Sequence, residues 1–263
     1  VKRCENVAFH RFGYQHAVRI RQVLTAKYAP ATVNRVLSAW RQVMREAWRL
    51  GLMGREAMER AADVPRVRGR AVARGVWLRS GEIRALFDAC RAGGGADGAR
   101  DAAILVLGLA CGLRREEMVN LDVGDVDLVA DTVHVHGKGG VERVLPLGAA
   151  APVLQRWLDV RGIAPGPLLT GLSSRSWGKR LAPRTIFRVV GIRAKQAGLP
   201  AGLSPHSLRK TCATSLLAKG VDLLVVQRML GHASVETTKL YDLRGEIAQR
   251  EAQARLTFDG LED

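Results

Sequence analysis

Apolar residues recur at three- and four-residue spacing between positions 31 and 50. Val33, Val36, Leu37, Trp40, Met44, Ala47 and Trp48 fall on one side of a helical cylinder. The spacing predicts an amphipathic helix, capped by Thr32 and stopped by Gly51, with Arg35, Arg41, Arg45 and Arg49 elsewhere on its surface. A weaker helical pattern covers 14–28. From 63 to 76 the periodicity ends. One proline, two glycines and four arginines carry no apolar stripe there, so the segment reads as a basic linker.

A second patterned region starts near Trp77. Ser80 is placed to cap a helix with Ile83, Leu86 and Phe87 on one face, and Gly93-Gly94-Gly95 breaks it. Asp101–Ala110 is apolar nearly all round, which predicts a buried helix. Thr132–His136 and Val141–Leu147 alternate or run β-branched around Gly137–Gly140. They predict a hairpin with Lys138 at its tip, and Pro146 should end the pairing. Helices are expected over 149–161 and 183–197. Ser204-Pro205 looks like an N-cap followed by proline at the first helical position of a helix through His206–Lys219, ended by Gly220. Asp222 caps a short helix through Leu230, stopped by Gly231. A further helix from about Ser234 would carry Tyr241, and 244–256 would form a last polar helix. The fold class is mainly α with a small antiparallel β-sheet (α+β).

Composition sharpens this picture at three points. With 263 residues and 47% hydrophobic content, the chain can bury a core in one large domain or in two smaller ones. The formal net charge is +16, which suggests a polyanionic partner, most often nucleic acid. Residues 1–76 hold 16 Lys+Arg against 5 Asp+Glu, so the N-terminal third is the denser electrostatic footprint. The basic segment 63–76 is then either a solvated hinge or a strap along a DNA backbone. Cys4, Cys90, Cys111 and Cys212 are far apart, with no Cys-x-x-Cys pair. They suggest reduced cytosolic thiols and neither a zinc site nor a disulfide framework. No signal peptide appears, and no apolar run approaches the ~20 residues of a membrane span.

The candidate chemistry lies in Arg114, Lys138, His206, Arg209, His232 and Tyr241. Guanidiniums neutralise phosphate, a lysine can protonate a leaving oxygen, and a tyrosine can attack phosphorus. His206 and Arg209 are three apart on one helix and so face the same way. Arg114 follows a buried helix, a rigid base for an anion clamp. No Asp/Glu cluster has two-metal spacing, which gives metal-assisted hydrolysis little support. His134 and His136 share a strand face and mimic a metal pair. With no third ligand evident, the expectation is a structural cross-strand role, with no metal and no cofactor.

In order and spacing these residues resemble the tyrosine recombinases, also called the phage integrase family. The resemblance rests on Ala110-Cys111-Gly112-Leu113-Arg114, on Gly137-Lys138-Gly139 before Arg143-Val144-Leu145-Pro146-Leu147, on His206-Ser207-Leu208-Arg209, and on Leu230-Gly231-His232 before Tyr241. It is close over 77–256 and looser over 30–53. It implies a helical core-binding domain at 1–62, the linker 63–76, and a catalytic domain with a C-terminal regulatory tail at 77–263. Residues 1–30 are shorter than the family's four-helix unit allows, so a first helix is expected to be missing. The resemblance further implies a site-specific recombinase acting through a 3′-phosphotyrosine, without ATP or metal. Tyr241 would be the nucleophile and Lys138 the proton donor to the leaving 5′ oxygen. Arg114 and Arg209 would hold the non-bridging oxygens, and His232 would bond the phosphate. His206 would take the tyrosine proton or assist its transfer, and Glu117 would orient the clamp. The implied partners are double-stranded DNA and, in the synaptic complex, three further copies of the chain. Without DNA it would be a monomer or weak oligomer, cytoplasmic and associated with a prokaryotic nucleoid. Two other readings use the same residues: a type IB topoisomerase-like enzyme working on one duplex, and a DNA-binding protein without catalysis.

Overall fold

The helix predicted from the first apolar stripe anchors an N-terminal unit. The computed structural model describes residues 7–68, 77–137, 140 and 142–231. It divides into two units, Val1–Arg74 and Gly75–Asp263. In the first, α1 (Tyr14–Thr25), α2 (Pro30–Arg49) and α3 (Arg55–Ala62) follow a short 3₁₀ turn at Phe9–Arg11. α2 buries Val33, Leu37, Trp40, Met44 and Ala47, the expected stripe, while Val36 and Trp48 at its margins reach solvent. Ala29, not Thr32, is the N-cap, because Pro30 fixes the helical φ two residues earlier than the hydroxyl suggested.

Three polar contacts tie this unit to its own C-terminal strand of chain. Trp40 donates Nε1–H to the Ala61 carbonyl at 2.8 Å. Arg41, expected on the polar side, donates instead to the carbonyls of Ala62 and Val64, acceptors left open at the end of α3. Asn34 exchanges both its amide groups with the backbone of Val67, at 3.0 and 2.9 Å. Val64 is buried, and Val67 packs against the same core. The first part of the basic segment, 63–68, is therefore folded onto α2 and α3. Short sequence range hid this, since two valines make no stripe. Residues 69–76 lie outside the described residues.

The second unit is built on α5 (Gly95–Leu109). Its residues 103–108 are all buried. The helix begins six residues before the expected Asp101, because the polar turn Gly95–Arg100 continues it over the Gly94 break. Asp101 and Arg100 are buried as a pair, and Arg193 of α8 (Pro183–Gln196) closes on Asp101 at 2.8–2.9 Å. α4 (Ser80–Gly93), α7 (Ala151–Arg161), α8 and α9 (Pro205–Ala218) all pack on α5. Arg79 and not Ser80 is the N-cap of α4, and the reach-back comes from Glu82 to the Arg79 N–H at 2.7 Å.

A three-stranded antiparallel sheet, β1 (Val126–Asp127), β2 (Thr132–His136) and β3 (Glu142–Pro146), lies in the order β1-β2-β3. The register pairs Thr132 with Pro146, His134 with Val144 and His136 with Glu142, so the expected hairpin is present and Pro146 is its last paired residue. β1 is two residues long and gave no periodic signal. The short helices α6 (Arg115–Asn120) and α10 (Leu223–Leu230) complete the unit. The fold is mainly α with one small antiparallel sheet, as expected. No helix among the described residues is long and apolar enough to cross a membrane.

α5 and α9 approach closely at Gly108. A Cβ added there would stand 2.8 Å from Leu208 Cβ and 3.1 Å from Met118 Cε. Gly108→Ala gains about 1 kcal/mol of helix propensity. The crowding costs about 1–3 kcal/mol, because Leu208 Cβ is tied to the α9 backbone and cannot turn away. The expected result is a net loss of up to about 2 kcal/mol, read as a lowered urea midpoint. A raised midpoint would show that α9 yields there without cost.

Candidate active site

The end of α5 leads straight into the site. Gly112 has φ +62°, and a Cβ there would meet Leu230 Cδ2 at 2.4 Å, so both the turn and the space require glycine. That turn aims the Gly112 carbonyl at Arg209, which donates Nη1–H to it at 2.6 Å. Two residues later Arg114 is the N-cap of α6. One turn on, Glu117 reaches back to the Arg114 N–H at 2.8 Å and pairs with its guanidinium at 2.8 Å.

Glu117 is the centre of a larger cluster. Arg143, on β3, makes a two-pronged ion pair with it, Nη2 to Oε2 at 2.8 Å and Nη1 to Oε1 at 3.1 Å. Arg209 Nη1 stands 3.9 Å from Oε2. The side chains of Glu117 and Arg209 are 4% and 3% exposed, Arg143 10%, and Arg114 41%. The buried charges thus form the floor and Arg114 is the cation that reaches solvent. Burial pushes the Glu117 carboxyl up. Hydrogen bonds from Arg143 and the Arg114 N–H, the charge of Arg143, and the Arg114 side chain together outweigh it, and the carboxyl sits below the ordinary carboxylate range.

The same three guanidiniums cap one helix. Arg143 donates Nε–H to the Met229 carbonyl at 2.9 Å, Arg209 donates to Leu230 at 2.5 Å, and Arg114 donates to Gly231 at 2.8 Å. These three consecutive carbonyls end α10, where the backbone has no further helical N–H to offer and the helix dipole is negative.

His206 opens α9 on a capping box between Ser204 and Ser207, with Pro205 first in the helix, as the sequence suggested. Its ring reaches solvent. The surrounding protein still pushes its pKa below the usual imidazole value, and the charges of Arg209, Lys210 and Arg114 push the same way. The shift favours the neutral imidazole, the form that can accept a proton. Cys111 and Cys212 beside the cluster are buried, and their thiols are pushed up to about 12 and about 11, so neither is a thiolate nucleophile.

The structure brings together four of the sequence-derived residues: Arg114, Glu117, His206 and Arg209. Lys138, His232 and Tyr241 lie outside the described residues. Arg143 is the member that sequence reading missed. Its signal was available: in a strand of period two, Arg143 shares its face with buried Leu145, and an inward-facing arginine needs a partner. The expectation that His134 and His136 lack a further ligand is corrected. Asp125, from the 3₁₀ turn before β1, and Glu142 on β3 both converge on them.

A family model described as the phage integrase family matches residues 76–244. The chain is 44% identical over 146 residues to tyrosine recombinase XerC of Corynebacterium glutamicum, covering 54% of this chain and 46% of that one. It is 40% identical over 183 residues to tyrosine recombinase XerD of Mycobacterium leprae, covering 66% and 58%. The chain thus spans about half the length of these relatives. The fold is also that of the XerH site-specific recombinase solved on its palindromic difH substrate after cleavage. That match has a TM-score of 0.70 at 20% identity, covering 93% of this chain and 72% of that one.

Two outcomes test the site. Glu117→Gln leaves buried guanidiniums without their counter-charge and should cost about 3–5 kcal/mol in urea unfolding. Because the folded carboxyl is held low, its stabilisation is complete above the unfolded value of about 4.3 and is lost as pH falls through the lower folded value. The variant should show a flatter acid limb than wild type. For His206, NMR titration should give a midpoint below about 6.5. The folded imidazole resists the proton that the unfolded one accepts, so this group contributes stability that is lost as pH falls below the unfolded value. A midpoint at or above that value would remove His206 as a neutral base.

Proposed function

The chain belongs to the phage integrase family, the tyrosine recombinases, and on that premise we propose that it is a site-specific DNA recombinase. It cuts and rejoins strands through a 3′-phosphotyrosine. The observation that carries this reading is the cluster of Arg114, Arg143 and Arg209 around Glu117. Three fixed positive charges surround one negative, and the surplus faces solvent at Arg114. Such a site is built for a phosphodiester, whose charge grows as a nucleophile attacks.

In the proposed reaction the Tyr241 oxygen attacks the scissile phosphorus. The bond to the 5′ oxygen breaks, and a phosphotyrosine joins the enzyme to the 3′ end. Arg114 and Arg209 hold the two non-bridging oxygens, with Arg143 and Glu117 fixing the guanidiniums from behind. His206, kept neutral, accepts the phenolic proton or assists its transfer. Lys138 protonates the leaving 5′ oxygen, and His232 donates to the phosphate. The ester energy is retained in the phosphotyrosine, so a second 5′ hydroxyl reverses the step without ATP. Domains at 1–68 and 77–263 joined by 69–76 would close around the duplex, and 244–256 would regulate a neighbouring copy. Four copies would synapse two duplexes, in the cytoplasm at the nucleoid.

The likeness to XerC and XerD supports this reading, as does the solved XerH complex in its post-cleavage state. The test is trapping on nicked DNA carrying the native flanking sequences. Wild type should form a denaturant-resistant adduct, Tyr241→Phe none, and Arg209→Ala should slow its formation by about 10²–10³. Exchange of strands between two duplexes then separates a recombinase from a topoisomerase. Specific DNA binding without any adduct in wild type would overturn the catalytic reading.

A further inference from the structure

The β-sheet carries a second cluster of chemistry that the proposed reaction does not use. His134 and His136 project from the same face of β2, with ring centroids 4.7 Å apart. His136 Nε2 is 3.2 Å from Asp125 Oδ1, and its Nδ1 is 3.1 Å from Glu142 Oε1. His134 Nε2 is 3.4 Å from Glu142 Oε2. One ligand atom each from Asp125, His134 and His136 lie within 4.8 Å of one another.

We infer that Asp125, His134 and His136 form a binding site for a divalent transition metal of the zinc class, with solvent completing its coordination. Nitrogen and carboxylate ligands hold zinc at about 2.0–2.2 Å, which places neighbouring ligand atoms of a tetrahedron roughly 3.3–3.6 Å apart. Asp125 Oδ1 and His136 Nε2 stand 3.2 Å apart and the three ligand atoms lie within 4.8 Å of one another, so side-chain rotation of the two histidines closes the rest. Two imidazoles with one carboxylate select a borderline metal over magnesium or calcium, which take oxygen ligands.

The ligands come from two segments, the turn before β1 and strand β2, while Glu142 of β3 holds the other edge of the His136 ring. Their placement follows from the register, which sets His136 opposite Glu142 at the last pair before the loop 137–141. At present the position between the rings and acids suits a proton. His136 holds its proton above the usual value because Asp125 first and then Glu142 accept hydrogen bonds from it. A metal on Nε2 would replace the proton shared with Asp125. The site therefore stands apart from the arginine cluster in chemistry and beside it in chain connectivity.

The test is zinc binding by calorimetry on the full chain at mildly alkaline pH, with Co²⁺ absorption as a geometric readout. Wild type should bind one equivalent with a tetrahedral Co²⁺ spectrum. His134→Ala/His136→Ala should weaken binding by about 100-fold or abolish it, while Asp125→Asn should weaken it by about 10-fold or more. Circular dichroism should be unchanged, since these side chains are on the surface. Equal binding by wild type and the double histidine variant would assign the ion to other histidines and overturn the site. So would the lack of zinc binding by wild type at micromolar concentration. Neither result depends on whether the chain cleaves DNA.

Discussion

One carboxylate, Glu117, decides where three guanidiniums can sit, and those guanidiniums decide where α10 ends. Arginine stays charged at any pH the fold survives, so a buried guanidinium must be met by an acceptor or an anion. Arg143 and Arg209 are nearly excluded from water and come from different elements, β3 and α9. Arg209 gives its donors to the Gly112 and Leu230 carbonyls with the carboxylate 3.9 Å away, and Arg143 divides its donors between Glu117 and the Met229 carbonyl at the end of α10. Arg114 does the same from the start of α6. The unsatisfied carbonyls of a helix terminus and the unsatisfied donors of three arginines thus solve one another. Neither set would be tolerable in the interior alone.

The backbone around the cluster is shaped to allow this. Gly112 turns the chain with a positive φ and leaves room for Leu230, so the last residues of α10 sit against the start of the Arg114 segment. Gly108 lets α9 lie close to α5, which fixes Leu208 in the core and Arg209 beside it in the cluster. A buried apolar residue and a buried cation adjacent in one helix leave the helix no rotational freedom. Any turn of α9 that relieved Leu208 would pull Arg209 from the Gly112 and Leu230 carbonyls. Core packing and site geometry are therefore one constraint, and this is why α5, the most apolar helix, adjoins the most charged part of the molecule.

What the sequence made legible follows the range of the interactions involved. The stripe of α2, the hairpin register, the Ser204–Pro205 start and the Asp222 cap all rest on residues within a turn or a pair of strands. Those signals were read correctly. Helix starts set by proline or by continuation through glycine, as at Pro30 and Gly95, were misplaced because a hydroxyl or an apolar onset looked like the stronger cue. Arg114, Glu117, His206 and Arg209 were found as motif members. Arg143 was not, because its value depends on Glu117, 26 positions away, and on the end of α10. Asp125 escaped for the same reason, being 11 residues from His136 on an irregular turn.

The electrostatics of the cluster also bear on what can act as base and nucleophile beside it. Each positive charge near His206 disfavours a second proton on its ring, so the groups that would grip a phosphate also keep the base unprotonated. The same field should favour thiolates, yet burial dominates at Cys111 and Cys212 and keeps both thiols neutral. On the proposed reading this leaves a phenol as the group whose ionisation the site promotes. A phenolate gains from nearby guanidiniums, and its proton has an acceptor in neutral His206. Anion binding and nucleophile activation would then share one cause, the excess of guanidinium over carboxylate around Glu117, which also adds to the burial that lowers the His206 pKa. Removing Arg114 or Arg209 should therefore weaken anion binding and raise the His206 pKa together, which a purely structural role for the cluster would not require.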